Sequence, residues 1–307
     1  MKRLLFIYNA KSGKAQIRKH LADIIDIFIK AGYRVEAYQT QSREDAMHQV
    51  EKRGKSFDLI VCSGGDGTLN EVITGLMRSD WYYEKRVPIG YIPSGSTNDF
   101  ANSIILPKNV ISAANVAVNG KKKSVDIGSF NDRNFVYVAA FGAFTDVSYN
   151  TPQDLKNILG HQAYIVEGLK QFIPTITSTY HIKLIANGKK LEGDFIYGMV
   201  SNSNSVGGFK GISGKNVGLD DGLFEVTLVK QPSSPFEFQE IISALLLGKK
   251  SRLVCQFKTS LLKVYSEDKI DWVVDGEFGG SVKKAVIRNH CRAINVVTGE
   301  NLIYRKK

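Results

Sequence analysis

A glycine-rich segment between an apolar run and a helical pattern is the strongest candidate site in the sequence. It spans residues 63–71 and reads Ser-Gly-Gly-Asp-Gly-Thr-Leu-Asn-Glu. Glycines let the backbone approach a ligand and turn its amides toward an anion, and a helix start adds the positive end of its dipole. The segment predicts a phosphate-binding turn, although a strand–helix turn that binds nothing has the same composition. It is neither a Walker A loop nor a Gly-x-Gly-x-x-Gly fingerprint.

Two further polar turns also follow apolar runs. Residues 9–13 follow the run 4–8, and residues 93–101 follow the run 87–92. Taken alone, the second turn is typical of an ordinary helix N-cap. Ligands of parallel α/β sheets bind at the carboxyl edge of the strands, so together the three turns predict one ligand site.

The elements that position these turns follow from the hydrophobic pattern. Apolar runs at 4–8, 33–39, 57–62 and 87–92 alternate with helical spacing, including a helix over 69–78, which predicts a mainly parallel α/β sheet. From residue 125 onward, short β-rich runs are separated by Asn-Gly and Asp-Gly turns, which predicts an antiparallel β-sandwich. We therefore expect an N-terminal domain at 1–124 and a C-terminal domain at 125–297.

Composition excludes several classes of protein. The chain has 307 residues, with 41 Lys and Arg against 30 Asp and Glu, a net charge of +11, and only three cysteines. A disulfide framework and a cysteine-rich zinc site are therefore not supported, and the positive charge favours an anionic partner such as a nucleotide, nucleic acid or a membrane surface. The first apolar run is too short for a signal peptide and no run approaches 18 residues, so we expect a cytoplasmic protein.

The full series of motifs resembles the bacterial soluble diacylglycerol kinase family, lipid kinases related to the sphingosine kinases. The matching segments, in the order of the family, are residues 9–13, 64–71, 93–101, 126–128, 220–223 and 275–277. The resemblance implies an ATP-binding N-terminal domain, a lipid-binding β-sandwich and an active site in the cleft between them. It also implies that residues 298–307 return to the N-terminal domain.

The resemblance assigns roles to individual residues. The expected ATP contacts are Asn9, Ala10, Lys11, Ser12, Gly13, Thr40, Gly65, Asp66, Gly67, Thr68, Leu69, Asn70, Glu71 and Ser96. Asp66 and Asp99 are expected to hold the nucleotide Mg²⁺, largely through waters, and Glu277 to act as general base toward the lipid hydroxyl. Capping roles for the two aspartates, and a solvated turn position for Glu277, are the alternatives.

A second, structural Mg²⁺ is implied in the loop before a C-terminal strand. Its ligands would be the side chain of Asp221 and the carbonyls of Gly218 and Leu223, although an Asp-Gly turn alone explains the same residues. Two positions depart from the family pattern, since Ala10 stands where proline is usual and Ser96 where threonine is usual. The Ser96 hydroxyl keeps the capacity for ATP contact.

The implied reaction is the ATP- and Mg²⁺-dependent phosphorylation of a lipid hydroxyl, with diacylglycerol converted to phosphatidate at the inner face of the membrane. Basic clusters such as residues 121–123 and 249–250 are candidate contacts with anionic lipid. Kinases of another lipid or of NAD, and a non-catalytic membrane-associated nucleotide or lipid sensor, stay open as alternatives. No nucleic-acid-binding motif accompanies the charge. A homodimer is one option for the oligomeric state.

Overall fold

The computed structural model describes residues 1–13, 16–142, 178–206, 209–210 and 217–299. In them the helices are α1 Gln16–Lys19, α2 Leu21–Lys30, α3 Asp45–Arg53, α4 Asp66–Arg78, α5 Asp80–Lys85, α6 Asp99–Ser103, α7 Val110–Asn119 and α8 Pro235–Leu247. The strands are β1 Lys2–Tyr8, β2 Tyr33–Gln39, β3 Leu59–Gly64, β4 Ile89–Pro93, β5 Lys121–Phe130, β6 Arg133–Phe135, β7 Val138–Gly142, β8 Tyr180–Ala186, β9 Lys189–Ser201, β10 Ser205–Val206, β11 Phe209–Lys210, β12 Phe224–Lys230, β13 Val254–Thr259, β14 Leu261–Val274 and β15 Glu277–Thr298.

The N-terminal part contains a parallel sheet in the order β2-β1-β3-β4. Every residue of β3 and of β4 is buried, as expected for central parallel strands covered on both faces. Alternate residues of β1 serve opposite faces: Leu4 and Phe6 pack with Phe28, whereas Leu5 and Ile7 belong to the core cluster that includes α4. The predicted alternation of strands and helices is present here, and the carboxyl ends of β1, β3 and β4 lie side by side.

Helix α4 begins at Asp66, three residues before the predicted start at 69. Gly65 has the extended backbone of an N-cap, with φ −84° and ψ −174°, so the glycine-rich segment supplies the first helical turn itself. The acidic side chain of Asp66 therefore stands at the positive end of the helix dipole.

The C-terminal part is antiparallel, and its strand pairings close on themselves. β7 pairs with β14, β14 with β8, β8 with β9, and β9 with β7. These strands enclose a core that includes Phe141, Phe195 and Trp272. Two of the predicted turns are two-residue hairpins: 187–188 joins β8 to β9, and 275–276 joins β14 to β15. All four residues have positive φ, which their Asn-Gly and Asp-Gly sequences accommodate.

The parallel and antiparallel parts form one 13-stranded sheet within the described residues, mostly antiparallel, rather than two separate sheets. The 22-residue strand β15 joins them, because it pairs with β14 near its start and meets β4 through Val296 and Ile89 near its end. The boundary predicted at residue 124 falls inside β5, which also pairs with β15. The division into domains at 124 stays a prediction.

Residues 155–171, whose sequence pattern predicts a helix, lie outside the described residues, as do residues 300–307 of the C-terminal segment expected to return to the N-terminal domain. Over the ranges that are described, none of the helices combines the length and the apolar character needed to cross a membrane.

Candidate active site

The three predicted turns meet at the carboxyl edge of the parallel strands. The amide of Asn9 donates to the carbonyl of Ser63 at 2.8 Å, and the amide of Ser94 donates to that of Gly64 at 2.9 Å. A Cβ atom at Gly13 would lie 2.1 Å from the carbonyl oxygen of Ser94. The turns therefore pack backbone against backbone, which only glycine permits at this point.

Asp66 places a carboxylate at the centre of this arrangement. Its Oδ2 accepts a hydrogen bond from the amide of Asp99 at 3.2 Å, whereas its buried Oδ1 has no hydrogen-bond partner within the described part of the chain. Burial, followed by the charges of Asp99 and Asp275, raises the pKa of Asp66 to about 7. A buried oxygen without a donor and a carboxyl group repelled by its neighbours both favour a bound cation.

Asp99 begins α6 and is almost fully buried. Its Oδ1 accepts a hydrogen bond from the hydroxyl of Ser205 in β10, at 2.6 Å. Asp99, the second residue predicted to hold magnesium, is thus hydrogen-bonded both to Asp66 and to the C-terminal part of the chain.

Asp275 is the first residue of the β14–β15 turn, and it organises the opposite side of the site. Its two oxygens accept from the amides of Val136, Tyr137 and Val138 at 2.7–3.1 Å. The side-chain nitrogen of Asn70 adds a bond of 2.8 Å. Burial raises the pKa of Asp275 to about 6, although these donors favour its charged form. The network fixes the turn against α4.

Glu277 follows this turn and lines a cavity of about 210 Å³. Its Oε2 accepts from the guanidinium of Arg43 at 2.6 Å, while its Oε1 lies 3.5 Å from the position that a Cβ of Gly67 would occupy. The next residue, Phe278, is 57% exposed. A carboxylate therefore faces the predicted phosphate-binding turn from across the cavity, beside an exposed apolar ring.

Glu71 anchors the loop that precedes α3. Its Oε1 accepts from the amide of Glu44 at 2.9 Å, and its Oε2 from that of Ala46 at 3.2 Å. Burial raises the pKa of Glu71, and the two amides oppose that rise. The side chain thus stabilises the start of α3 from the neighbouring helix α4.

Known proteins resemble this chain over most of its length. Residues 3–130 match the diacylglycerol kinase catalytic domain. The chain is 34% identical over 301 residues to a protein of Bacillus subtilis (strain 168) named diacylglycerol kinase, covering 97% of this chain and 96% of that protein. It is 32% identical to a diacylglycerol kinase of Staphylococcus carnosus (strain TM300), covering 92% and 90% of the two chains.

The chain belongs to the diacylglycerol kinase family. It is a lipid kinase enzyme, as the resemblance of its motifs implied. A solved structure of a diacylglycerol kinase from Bacillus anthracis str. Sterne shares the fold, with a TM-score of 0.77 over 98% of both chains at 21% identity. A second solved structure from that organism reaches a TM-score of 0.83 at 23% identity, over 98% of this chain and 97% of its own.

For a kinase of this family, the residues predicted to contact ATP lie on the converging turns or beside them. The amide of Thr40 donates to the carbonyl of Tyr8 at the end of β1, and the amide of Lys11 donates to the side-chain oxygen of Asn9 at 2.9 Å. Ser96 is exposed on the third turn, whereas Leu69 is fully buried in the core. Contact with ATP stays a prediction for each of these residues.

Asn70 and Glu71 have side-chain roles that the sequence did not predict. The amide nitrogen of Asn70 bonds to Asp275 and to the carbonyl of Asn134, and its oxygen accepts from Thr74. Both carboxylate oxygens of Glu71 bind backbone amides at the start of α3. These side chains hold the site together from within α4, and the nucleotide contact of both residues stays a prediction.

A nucleotide magnesium fits the Asp66 site. The orphaned Oδ1 offers a ligand, and Asp99 lies next to it. No group of three or more Asp, Glu, His or Cys side chains forms a metal cluster in the described ranges, so phosphate oxygens and waters would have to complete the coordination. A site that depends on phosphate oxygens as ligands is the kind expected for an ion that binds together with a nucleotide.

The predicted structural magnesium site is less favourable. Asp221 Oδ1 accepts from the amide of Leu223 at 3.0 Å, and the ammonium of Lys258 lies 3.4 Å from Oδ2. Gly218 approaches closely, since a Cβ there would lie 2.5 Å from Asp221 Oδ2. A metal at Asp221 would compete with Lys258, and its ligands stay predictions.

The sequence missed Arg43 and Ser205 as residues of the site. Arg43 lies 234 positions from Glu277, and Ser205 lies 106 positions from Asp99. Neither belongs to a motif, so no local pattern could have indicated the contact.

Proposed function

We propose that this enzyme transfers the γ-phosphoryl group of ATP to the hydroxyl of diacylglycerol and forms phosphatidate and ADP. One observation carries the proposal: Glu277 Oε1 faces Gly67 of the phosphate-binding turn across one cavity. The names of the relatives in Bacillus and Staphylococcus support diacylglycerol as the acceptor.

Different residues of the site would perform different parts of this reaction. The backbone of the three turns binds the phosphates, and Asp66 with Asp99 would hold the nucleotide magnesium. Such an ion, when bound, offsets the negative charge of the β- and γ-phosphates. The bond from the γ-phosphorus to the bridging oxygen of ADP breaks, a bond to the lipid oxygen forms, and the hydroxyl proton passes to Glu277.

The acceptor reaches this site from an anionic membrane surface on the cytoplasmic side. The exposed ring of Phe278 stands next to Glu277, where it would contact apolar chains of the lipid or the bilayer. The net charge of +11 supports attraction to anionic headgroups. Sedimentation with anionic vesicles tests this part of the proposal.

Transfer of radiolabel from ATP to lipids in mixed micelles tests the reaction. We expect Mg²⁺-dependent labelling of diacylglycerol above monoacylglycerol, undecaprenol and ceramide. Glu277→Gln should lower kcat by about 100-fold or more, because it removes the proton acceptor. Asp66→Asn should raise the Mg²⁺ concentration needed for half-maximal rate.

The matched control is Glu84→Gln, an exposed carboxylate on α5 that pairs with Lys55 away from the cavity. Its rate should equal that of the wild type. Full activity of Glu277→Gln would refute the assigned base, and phosphorylation of NAD without any lipid product would refute the proposed acceptor class.

A further inference from the structure

The candidate base Glu277 forms an ion pair with an arginine from the other side of the cavity. Arg43, in the loop before α3, donates from Nη2 to Glu277 Oε2 at 2.6 Å. The two side chains are 76% and 58% exposed, so the pair adds at most about 1 kcal/mol to stability. The Arg43–Glu277 ion pair therefore matters mainly for the orientation of the Glu277 carboxylate.

The loop that carries Arg43 is fixed on both sides of that residue. After it, the amides of Glu44 and Ala46 donate to the half-buried carboxylate of Glu71. Before it, the amide of Gln41 donates to Asp45 Oδ2 at 2.8 Å. Arg43 therefore extends from an immobilised backbone, although its own side chain is exposed.

The turn that carries Glu277 is fixed as firmly. Two residues earlier, the buried Asp275 accepts three backbone amides and the side chain of Asn70. An exposed ion pair usually loses much of its energy to the ordering of flexible partners. Here both backbones are already ordered, so the contact sets a defined direction for the carboxylate.

In this orientation the two carboxylate oxygens of Glu277 have different surroundings. Arg43 holds Oε2, while Oε1 faces Gly67. We infer that Arg43 is a positioning residue for the reaction proposed above, on which the inference rests. It restrains Glu277 so that Oε1 receives the hydroxyl proton as the lipid oxygen attacks the γ-phosphorus.

The cavity supplies a matched control. Arg78, on α4, lines the same cavity and carries the same charge, but its guanidinium contacts the sulfur of Met47 at 3.4 Å rather than Glu277. Arg43→Ala and Arg78→Ala therefore remove the same charge from one cavity, and only the first releases the base.

Steady-state kinetics of the full chain in mixed micelles provide the test. Arg43→Ala should lower kcat about tenfold and change KM for ATP by less than about twofold, because orientation rather than nucleotide binding is lost. Millimolar guanidinium should restore the rate of Arg43→Ala about threefold, and Arg43→Lys should retain an intermediate rate. Arg78→Ala should stay within about twofold of the wild type and gain nothing from guanidinium.

The inference would be overturned by a rate for Arg43→Ala within about twofold of the wild type, or by an equal loss in Arg78→Ala. A loss in Arg43→Ala that guanidinium does not relieve, with a lowered thermal midpoint, would assign Arg43 a structural role and overturn it too. A wild-type chain that phosphorylates no lipid refutes the proposed function instead, so the two failures are distinguishable.

Discussion

Individual residues decide how closely the three turns approach each other. Gly13 has φ +54°, and its α-carbon faces the carbonyl of Ser94 so closely that a methyl group would meet the oxygen at 2.1 Å. Gly32, after α2, has φ +86° but open space around it. Both glycines have a positive φ, which other residues adopt only with strain. Only Gly13 also lies in close contact with another backbone segment.

This pair gives a prediction about nucleotide binding. Gly13→Ala and Gly32→Ala should each lower the free energy of unfolding by about 1–2 kcal/mol, because alanine is strained at positive φ. Gly13→Ala should also push the turn 93–101 away and weaken binding of Mg²⁺-ATP at least about tenfold. Chemical unfolding and titration calorimetry measure the two quantities, and equal ATP affinity in both variants would contradict the assignment of these turns.

The sequence predicted the turns but not the contacts between distant side chains. Each turn ends an apolar run, so its place at the sheet edge follows from local pattern. The pairing of Arg43 with Glu277, and of Asn70 with Asp275, depends on how segments more than 200 positions apart pack together. Family resemblance placed Asn70 and Glu71 near ATP, yet it could not indicate that their side chains bind protein groups.

Strand β12 is buried along nearly its whole length and places a glutamate in the core. Glu225 is 5% exposed, and its cross-strand partner Lys258 places its ammonium 2.8 Å from Oε1. Burial nevertheless raises the pKa of Glu225 to about 7, since the nearby ammonium offsets only part of the desolvation. Below about pH 7 the folded chain therefore favours the protonated form of Glu225.

The stability of the protein should therefore depend on pH through this strand. The pKa of Glu225 is raised from an unfolded value of 4.5, so its contribution is complete below that pH and is lost as pH rises through about 7. Relative to Glu225→Gln, the wild type should lose on the order of 2–3 kcal/mol of unfolding free energy over this range. Denaturant unfolding at pH 4.5, 6 and 8 measures it, with exposed Glu267→Gln in β14 as control; parallel pH profiles of wild type and Glu225→Gln would contradict it.

The long strand β15 connects the parallel and antiparallel parts, which the sequence predicted as two separate sheets. Its register shifts between His290 and Ile294, where Arg292 has φ +50° and its amide donates to Asp126 at 2.7 Å. Such a bulge bends a strand and lets it continue into another part of a sheet. The composition of the two halves indicated parallel and antiparallel parts, but a bulge stabilised by a residue 166 positions away leaves no local signal.

The cavity mouth and the charge of the whole chain together give a prediction about membrane binding. Phe278 and Phe236 are both highly exposed, at 57% and 82%, but only Phe278 adjoins Glu277. If the lipid enters at this mouth, Phe278 inserts into the interface, and burial of a phenylalanine side chain contributes about 1.5–3 kcal/mol. Phe278→Ser should weaken binding to phosphatidylserine-containing vesicles about tenfold, whereas Phe236→Ser should leave it unchanged.

Salt separates this apolar contact from the attraction of the +11 charge. Sedimentation with the same vesicles should show weaker binding at 0.5 M than at 0.1 M salt for the wild type and both variants, since salt screens the positive charge of the chain. The ratio between wild type and Phe278→Ser should stay constant across the salt series, because insertion of a ring is not screened. A loss of binding in Phe236→Ser with none in Phe278→Ser would place the membrane-facing surface away from Glu277, and the lipid would then have to reach the base by another route.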